Sequence, residues 1–246
     1  MSLRSLFVSL SNDFTLKGRT SNVYPAGNLF IPISHGRLEA ILKEPRDSAR
    51  GAALVLHPHP QHGGTMHNKV VFRAARGLED AGCATLRINF RGVGQSTGHY
   101  AGGIGEREDA RAALDFLAGR YASLPLGLAG FSFGSRVGLE VGIGDERVGF
   151  LIAIGTPVNM YDFSFLRECR KPILFVHGER DEFGDVAALR ALVAELPSEA
   201  NACLHVVPGV GHFFDAKVDE VWRVIAKWTM ERLRDASELG RHKTGV

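Results

Sequence analysis

A serine with a glycine two residues away on each side is the group in this sequence best suited to covalent chemistry. It lies in Gly130-Phe131-Ser132-Phe133-Gly134, between the apolar run 126–129 and a segment compatible with a helix. A G-x-S-x-G turn in that setting lifts the serine hydroxyl clear of a sheet and points a helix N-terminus at it. The 29 glycines of the chain make the bare pattern easy to meet by chance. The flanking strand and helix are what favour Ser132 as a nucleophile.

A serine hydroxyl needs a base to take its proton. The sequence offers His212, which follows the glycine-containing loop 208–211 after the last apolar run. Histidine suits the task because its ordinary pKa of about 6.5 lies near neutrality. Taken alone, the position is more typical of a surface loop histidine.

An acid that orients the imidazole is the third requirement. Asp181 lies just beyond the apolar run 173–176, and its neighbours Glu179 and Glu182 are alternatives for the same role. The chain order Ser132, Asp181, His212, each after its own predicted strand, is the nucleophile–acid–base order of one large class of α/β enzymes. The order favours these three residues as a catalytic triad.

Acyl transfer also needs two N–H donors for the oxyanion that forms during the reaction. The backbone N–H of Phe133, directly after the nucleophile, is expected to supply one. The loop 57–64, after the apolar run 52–56, is expected to supply the other. Pro58 and Pro60 have no N–H, so the backbone of His59 between them is the predicted second donor.

Four histidines in or near this loop also raise the possibility of a metal site: His57, His59, His62 and His67. Their spacing matches no recognised ligand set, and the prolines stiffen the loop for another purpose. We therefore expect no metal and no other cofactor. The glycine-containing segment 91–98 lacks the spacings of phosphate-binding loops, and we interpret it as a turn near the mouth of the site.

Short apolar runs alternate with helical periodicities along the chain, which predicts an α/β fold with a mostly parallel sheet covered by helices on both faces. Asp185 and Asp215 are the predicted N-caps of the last two helices. The predicted strands lie at 38–42, 52–56, 84–88, 126–129, 150–154, 173–176 and 204–207.

The bulk properties are those of one globular domain. We divide the 246 residues into an N-terminal extension at 1–28, a domain at 29–236 and a polar tail at 237–246. The net charge of +2 gives no reason to expect nucleic acid or a membrane surface as a partner. Three scattered cysteines, no signal peptide and no apolar run of 18 residues favour a cytoplasmic location.

Several motifs together resemble one known family. They are His57-Pro58-His59-Pro60, Gly63-Gly64-Thr65-Met66, Asn68-Lys69-Val70-Val71, Asn89-Phe90-Arg91 and Gly130-Phe131-Ser132-Phe133-Gly134. Over about residues 36–232 the sequence resembles the small, lidless α/β-hydrolases close to dienelactone hydrolases and serine aminopeptidase-like esterases. The resemblance implies the same triad and the same oxyanion donors. Two departures are Ser132, where true dienelactone hydrolases have cysteine, and His-Pro, where many esterases have His-Gly.

The leading functional hypothesis is hydrolysis of a small carboxylic ester through an acyl-enzyme on Ser132. A peptidase, amidase or thioesterase with the same triad is the alternative, followed by a non-catalytic scaffold. The segment 155–172 is too short for a lid domain. We expect Phe133, Tyr161 and Phe213 to line a small pocket for a short acyl group. The sequence does not indicate the oligomeric state.

Overall fold

The fold is an eight-stranded sheet in the order β1-β2-β4-β3-β5-β6-β7-β8. A computed structural model describes residues 27–243, with side chains from 28 to 235, so the predicted extension at 1–28 lies almost wholly outside the described residues. The strands are β1 Gly27–Ile33, β2 Gly36–Lys43, β3 Gly51–Leu56, β4 Cys83–Ile88, β5 Leu126–Phe131, β6 Val148–Ile154, β7 Ile173–Gly178 and β8 Cys203–Val207.

All seven predicted strands are present, and the prediction of a mostly parallel sheet is confirmed. Strands β3 to β8 pair in parallel, whereas β1 and β2 pair antiparallel at one edge. Every residue of β3, β4, β5 and β7 is buried, as continuous apolar runs predict for strands covered on both faces. The additional strand β1 contains Pro32, which an edge strand tolerates because its N–H side need not pair.

Helices cover both faces of the sheet, so the predicted layer order is also confirmed. One apolar core packs α1 and α5 against the sheet, and the other packs α2, α3 and α4. Alternate residues of β3 point to the two cores: Leu54 joins one and Val55 the other. The helices are α1 Lys69–Asp80, α2 Ile104–Arg120, α3 Phe133–Gly144, α4 Val186–Ala194 and α5 Val218–Lys243.

The two predicted caps had different outcomes. Asp185 does cap α4, because its side chain accepts the N–H of Ala188 at 2.9 Å. The prediction for Asp215 is wrong, since α5 begins only at Val218 and Asp215 forms an ion pair with Lys69 instead. The backbone of α5 continues into the predicted tail at 237–246 as far as Lys243.

No lid domain interrupts the sheet, in agreement with the prediction. The segment 155–172 between β6 and β7 contains one 3-10 helix, Ser164–Glu168. The rest of the segment is loop and turn. Among the described helices, none is both long and apolar enough to cross a lipid bilayer.

Candidate active site

Ser132 lies at the sharp turn between β5 and α3. Its backbone has φ 56° and ψ −120°, a conformation that a residue with a side chain adopts only under strain. A Cβ at Gly130 would collide with the carbonyl oxygen of Gly134, and a Cβ at Gly134 would collide with the backbone of β3. The N–H of Ser132 donates to the carbonyl of Ile154 at 2.9 Å. The glycines therefore let the turn close, and β6 holds the serine in place.

The side chains of Ser132, His212 and Asp181 form a continuous hydrogen-bonded chain. His212 Nε2 lies 2.9 Å from Ser132 Oγ, and His212 Nδ1 lies 2.8 Å from Asp181 Oδ2. Because an ionised carboxylate only accepts hydrogen bonds, Nδ1 carries the proton and Nε2 presents a lone pair to the serine hydroxyl. His212 is 3% exposed and Asp181 is 6% exposed, so bulk water does not compete for these bonds.

Asp181 is also held by its own loop. Its Oδ1 accepts the backbone N–H of Phe183 at 2.9 Å and that of Gly184 at 3.1 Å. The two neighbouring glutamates bond to backbone rather than to the imidazole: Glu179 accepts the N–H of Gly209 at 2.7 Å, and Glu182 accepts the N–H of His212 at 3.3 Å. Of the three carboxylates considered, the one that contacts the imidazole ring is that of Asp181.

The loop after β3 is fixed by a buried histidine that the sequence presented as a possible metal ligand. His57 Nδ1 lies 2.6 Å from the carbonyl oxygen of Pro58, and His57 Nε2 accepts the N–H of Phe90 at 3.0 Å. Burial lowers the pKa of His57 to about 4. The ring is therefore neutral at pH 7, with its proton on Nδ1, and it joins the loop after β3 to the loop after β4.

This bond also orients the peptide between Pro58 and His59. The peptide is trans, so the N–H of His59 points away from the carbonyl that His57 holds. Within residues 27–243, the N–H groups of His59 and Phe133 donate to no other group. The ring centroids of His59 and Phe133 are 4.9 Å apart, and both residues border the same cavity as Ser132. Both N–H groups thus have no partner in the described chain, and their role as oxyanion donors stays a prediction.

The four histidines do not converge on a common point. Both ring nitrogens of His57 bond to backbone, and Nδ1 of His59 accepts the N–H of Gln61 at 3.2 Å. His62 and His67 are exposed. No group of three or more His, Cys, Asp or Glu side chains arranged to hold a metal ion is found in the part of the chain that the structure describes.

A cavity of about 420 Å³ opens over Ser132. The three predicted lining residues, Phe133, Tyr161 and Phe213, all border it. Sequence analysis missed Phe183, whose ring centroid lies 4.7 Å from that of His212. Its position two residues after Asp181 was a usable signal. Met160, which also lines the cavity, carried no such signal because it lies in an irregular loop.

Comparison with known proteins places this chain in a family. Residues 51–222 match the family model described as an alpha/beta hydrolase domain. The chain belongs to this α/β-hydrolase family. An uncharacterized protein of Rickettsia prowazekii is 37% identical to the hydrolase over 197 residues, which cover 77% of this chain and 83% of the relative.

Two solved structures resemble the hydrolase with a TM-score of 0.77 each. One is an alpha-beta serine hydrolase homologue from Coxiella burnetii, 34% identical, for which the match covers 83% of this chain and 98% of the other. The second is a serine hydrolase without a lid from Xanthomonas campestris, 31% identical, with 85% and 96% covered. The resemblance to small, lidless α/β-hydrolases is thereby confirmed.

Proposed function

We propose that this hydrolase cleaves small, uncharged carboxylic esters through an acyl-enzyme on Ser132. The observation that carries the proposal is the hydrogen-bonded chain from Ser132 Oγ through His212 to Asp181, with distances of 2.9 and 2.8 Å, at the floor of an open cavity. An aligned serine, imidazole and carboxylate form the arrangement that activates a hydroxyl for acyl transfer.

In the first half of the reaction, Ser132 Oγ attacks the ester carbonyl carbon while its proton passes to His212 Nε2. Asp181 stabilises the imidazolium, and the N–H groups of Phe133 and His59 stabilise the negative oxygen. The intermediate collapses as His212 returns the proton to the departing alkoxide, which leaves as an alcohol. Water then attacks the acyl-enzyme with His212 as base again, releasing the acid and restoring Ser132.

The lining of the cavity supports a neutral substrate. Among the described residues that border it there is no Asp, Glu, Lys or Arg. A substrate with a free α-ammonium group would be placed there without a carboxylate to pair with it, and burying an unpaired charge is costly. This absence of a counter-charge favours an ester over the aminoacyl substrate of an aminopeptidase.

The proposal is tested with a fluorophosphonate probe and three substrate types. We expect the probe to label wild-type protein at Ser132 and to leave Ser132→Ala unlabelled. We expect p-nitrophenyl acetate to be turned over with a kcat/KM well above that for an aminoacyl anilide or an acyl thioester. Faster cleavage of the anilide or the thioester would assign the same triad to amides or thioesters. A wild-type protein that is folded but not labelled would support a non-catalytic scaffold.

A further inference from the structure

His177 is a buried histidine near the site that takes no part in the mechanism above. It belongs to β7, and its side chain is fully buried. His177 Nε2 lies 2.6 Å from the carbonyl oxygen of Gly184. A carbonyl only accepts, so Nε2 carries the proton. Nδ1 is buried and has no partner among the described residues. The interaction that this ring makes is therefore directed entirely at the turn 181–184.

That turn is the one that holds the Asp181 carboxylate. Gly184 donates its N–H to Asp181 Oδ1 at 3.1 Å while its carbonyl accepts from His177. His177 Nε2 also lies 3.7 Å from Asp181 Oδ2, the oxygen that contacts His212 Nδ1 at 2.8 Å. A Cβ at Gly184 would collide with the carbonyl of Thr156, so the turn has no free space on that side. The His177 ring packs against the same side, since that Cβ would also lie 2.9 Å from its Cε1.

We propose that His177 is a positioning residue, which holds the Asp181–Gly184 turn so that the Asp181 carboxylate stays on His212 Nδ1. The proposal rests on the proposed triad. Burial lowers the pKa of His177, so the ring stays in the neutral form that donates through Nε2. The titratable groups facing it are Asp181, His212 and Asp185.

Phe183, which forms part of the pocket wall, has an anchor outside the turn in addition to its bond to Asp181 Oδ1. The carbonyl of Phe183 accepts the N–H of Asn159 at 3.2 Å, from the loop after β6. Loss of the His177 bond should therefore loosen the carboxylate more than the pocket. The expected signature is a fall in kcat with little change in KM, because the substrate still binds while the base is poorly oriented.

Three variants of His177 test this role on the full-length protein with p-nitrophenyl acetate. His177→Leu removes the donor. His177→Gln places an amide N–H near the position of Nε2, whereas His177→Asn is one methylene too short to do so. We expect kcat to fall roughly 10- to 100-fold in the Leu and Asn variants, the range for a catalytic group displaced by about 1 Å. The Gln variant should recover most of the loss, and KM should change less than about threefold in all three.

Two further measurements separate positioning from a general structural effect. Rates are expressed per active site titrated with fluorophosphonate, so misfolded protein does not count. The acid limb of kcat/KM should move to lower pH in the Leu and Asn variants, because a displaced carboxylate no longer stabilises the imidazolium. His205→Gln is the matched control: its ring pairs with Glu220 at 2.9 Å on β8 and α5, and both rate and acid limb should be unchanged.

Failure of the role of His177 can be distinguished from failure of the proposed triad. Full activity per labelled site in the Leu and Asn variants, with an unmoved acid limb, overturns the role of His177 while an inactive Ser132→Ala leaves the triad standing. Equal losses in the Gln and Asn variants also reject it, as does a failure of all three variants to fold. Activity retained by Ser132→Ala would instead reject the triad itself.

Discussion

The buried ring of His57 should make the stability of the fold depend on pH. In the folded protein burial lowers its pKa from 6.5 to about 4, whereas in the unfolded chain it titrates at its ordinary value. As pH falls below 6.5, His57 binds a proton in the unfolded chain but stays neutral in the folded protein until the pH approaches 4. The stabilisation is thus complete above pH 6.5 and is lost progressively down to about pH 4.

The magnitude follows from the two pKa values. At about 1.4 kcal/mol per pH unit, the gap between 6.5 and about 4 amounts to about 3 kcal/mol. Most of this, on the order of 2–3 kcal/mol, should be lost between pH 7.5 and pH 4.5. A typical domain has a free energy of unfolding of roughly 5–15 kcal/mol, so the effect is large enough to measure.

The variant His57→Asn tests this pH dependence. It keeps a donor for the carbonyl of Pro58 but removes the titrating ring. The variant should be less stable than wild type at pH 7.5 by about 1–3 kcal/mol, because the N–H of Phe90 loses its acceptor. The free energy of unfolding of wild type minus that of the variant should then be lower at pH 4.5 than at pH 7.5 by on the order of 2–3 kcal/mol. Taking this difference cancels the contributions of the other groups that titrate in the same range.

Urea unfolding followed by the fluorescence of the two tryptophans, Trp222 and Trp228, measures both free energies. His67→Asn, at an exposed position nearby, is the matched control, and its effect on stability should be the same at both pH values. If the difference between wild type and His57→Asn stays constant from pH 7.5 to 4.5, the ring is not held neutral by burial and the reasoning fails.

Further predictions concern the reaction itself. Ser132→Ala and His212→Ala should each lower kcat on the order of 10⁴-fold or more without unfolding the protein, as measured by steady-state kinetics and circular dichroism. Asp181→Asn should lose most activity. Glu179→Gln and Glu182→Gln should largely keep it, because these glutamates bond to backbone. A strong loss at one of the glutamates alone would assign the acid role to that glutamate instead. Across a series of p-nitrophenyl esters kept below the micelle threshold, kcat/KM should peak at short acyl chains, roughly acetate to hexanoate. An optimum at about twelve carbons would contradict this and indicate an apolar groove for long acyl chains.

The sequence predicted the sheet well because burial on both faces leaves a strong pattern. Every residue of β3 and β5 is apolar or glycine, which few loops tolerate. The strand β1 escaped detection because it is an edge strand whose burial is incomplete, so its residues need not be uniformly apolar. The start of α5 was misplaced for a different reason. Asp215 looks like a cap, but positive φ at Phe214 and Ala216 delays the helix to Val218.

The site could be predicted as far as strand ends determine it. Ser132, Asp181 and His212 follow β5, β7 and β8, and parallel strands bring their carboxyl ends to one edge of the sheet. What the sequence did not determine is the path of the loops beyond those ends. Met160 and Phe183 reach the cavity because of turns that are fixed by contacts distant in sequence, and single-residue patterns do not encode such contacts.

The buried histidines His57 and His177 address the same physical problem. Strand register fixes where a loop begins, but the backbone of a loop has no ladder of hydrogen bonds to fix its direction. His57 directly follows β3 and His177 is the penultimate residue of β7, and each donates to one carbonyl of the loop that carries a proposed functional group. A neutral imidazole is rigid, remains uncharged when burial lowers its pKa, and offers a donor several ångströms from the backbone. A histidine at the carboxyl end of a buried strand therefore indicates a constrained loop as readily as it indicates a ligand or a base, and the atom that its ring nitrogen contacts decides between them.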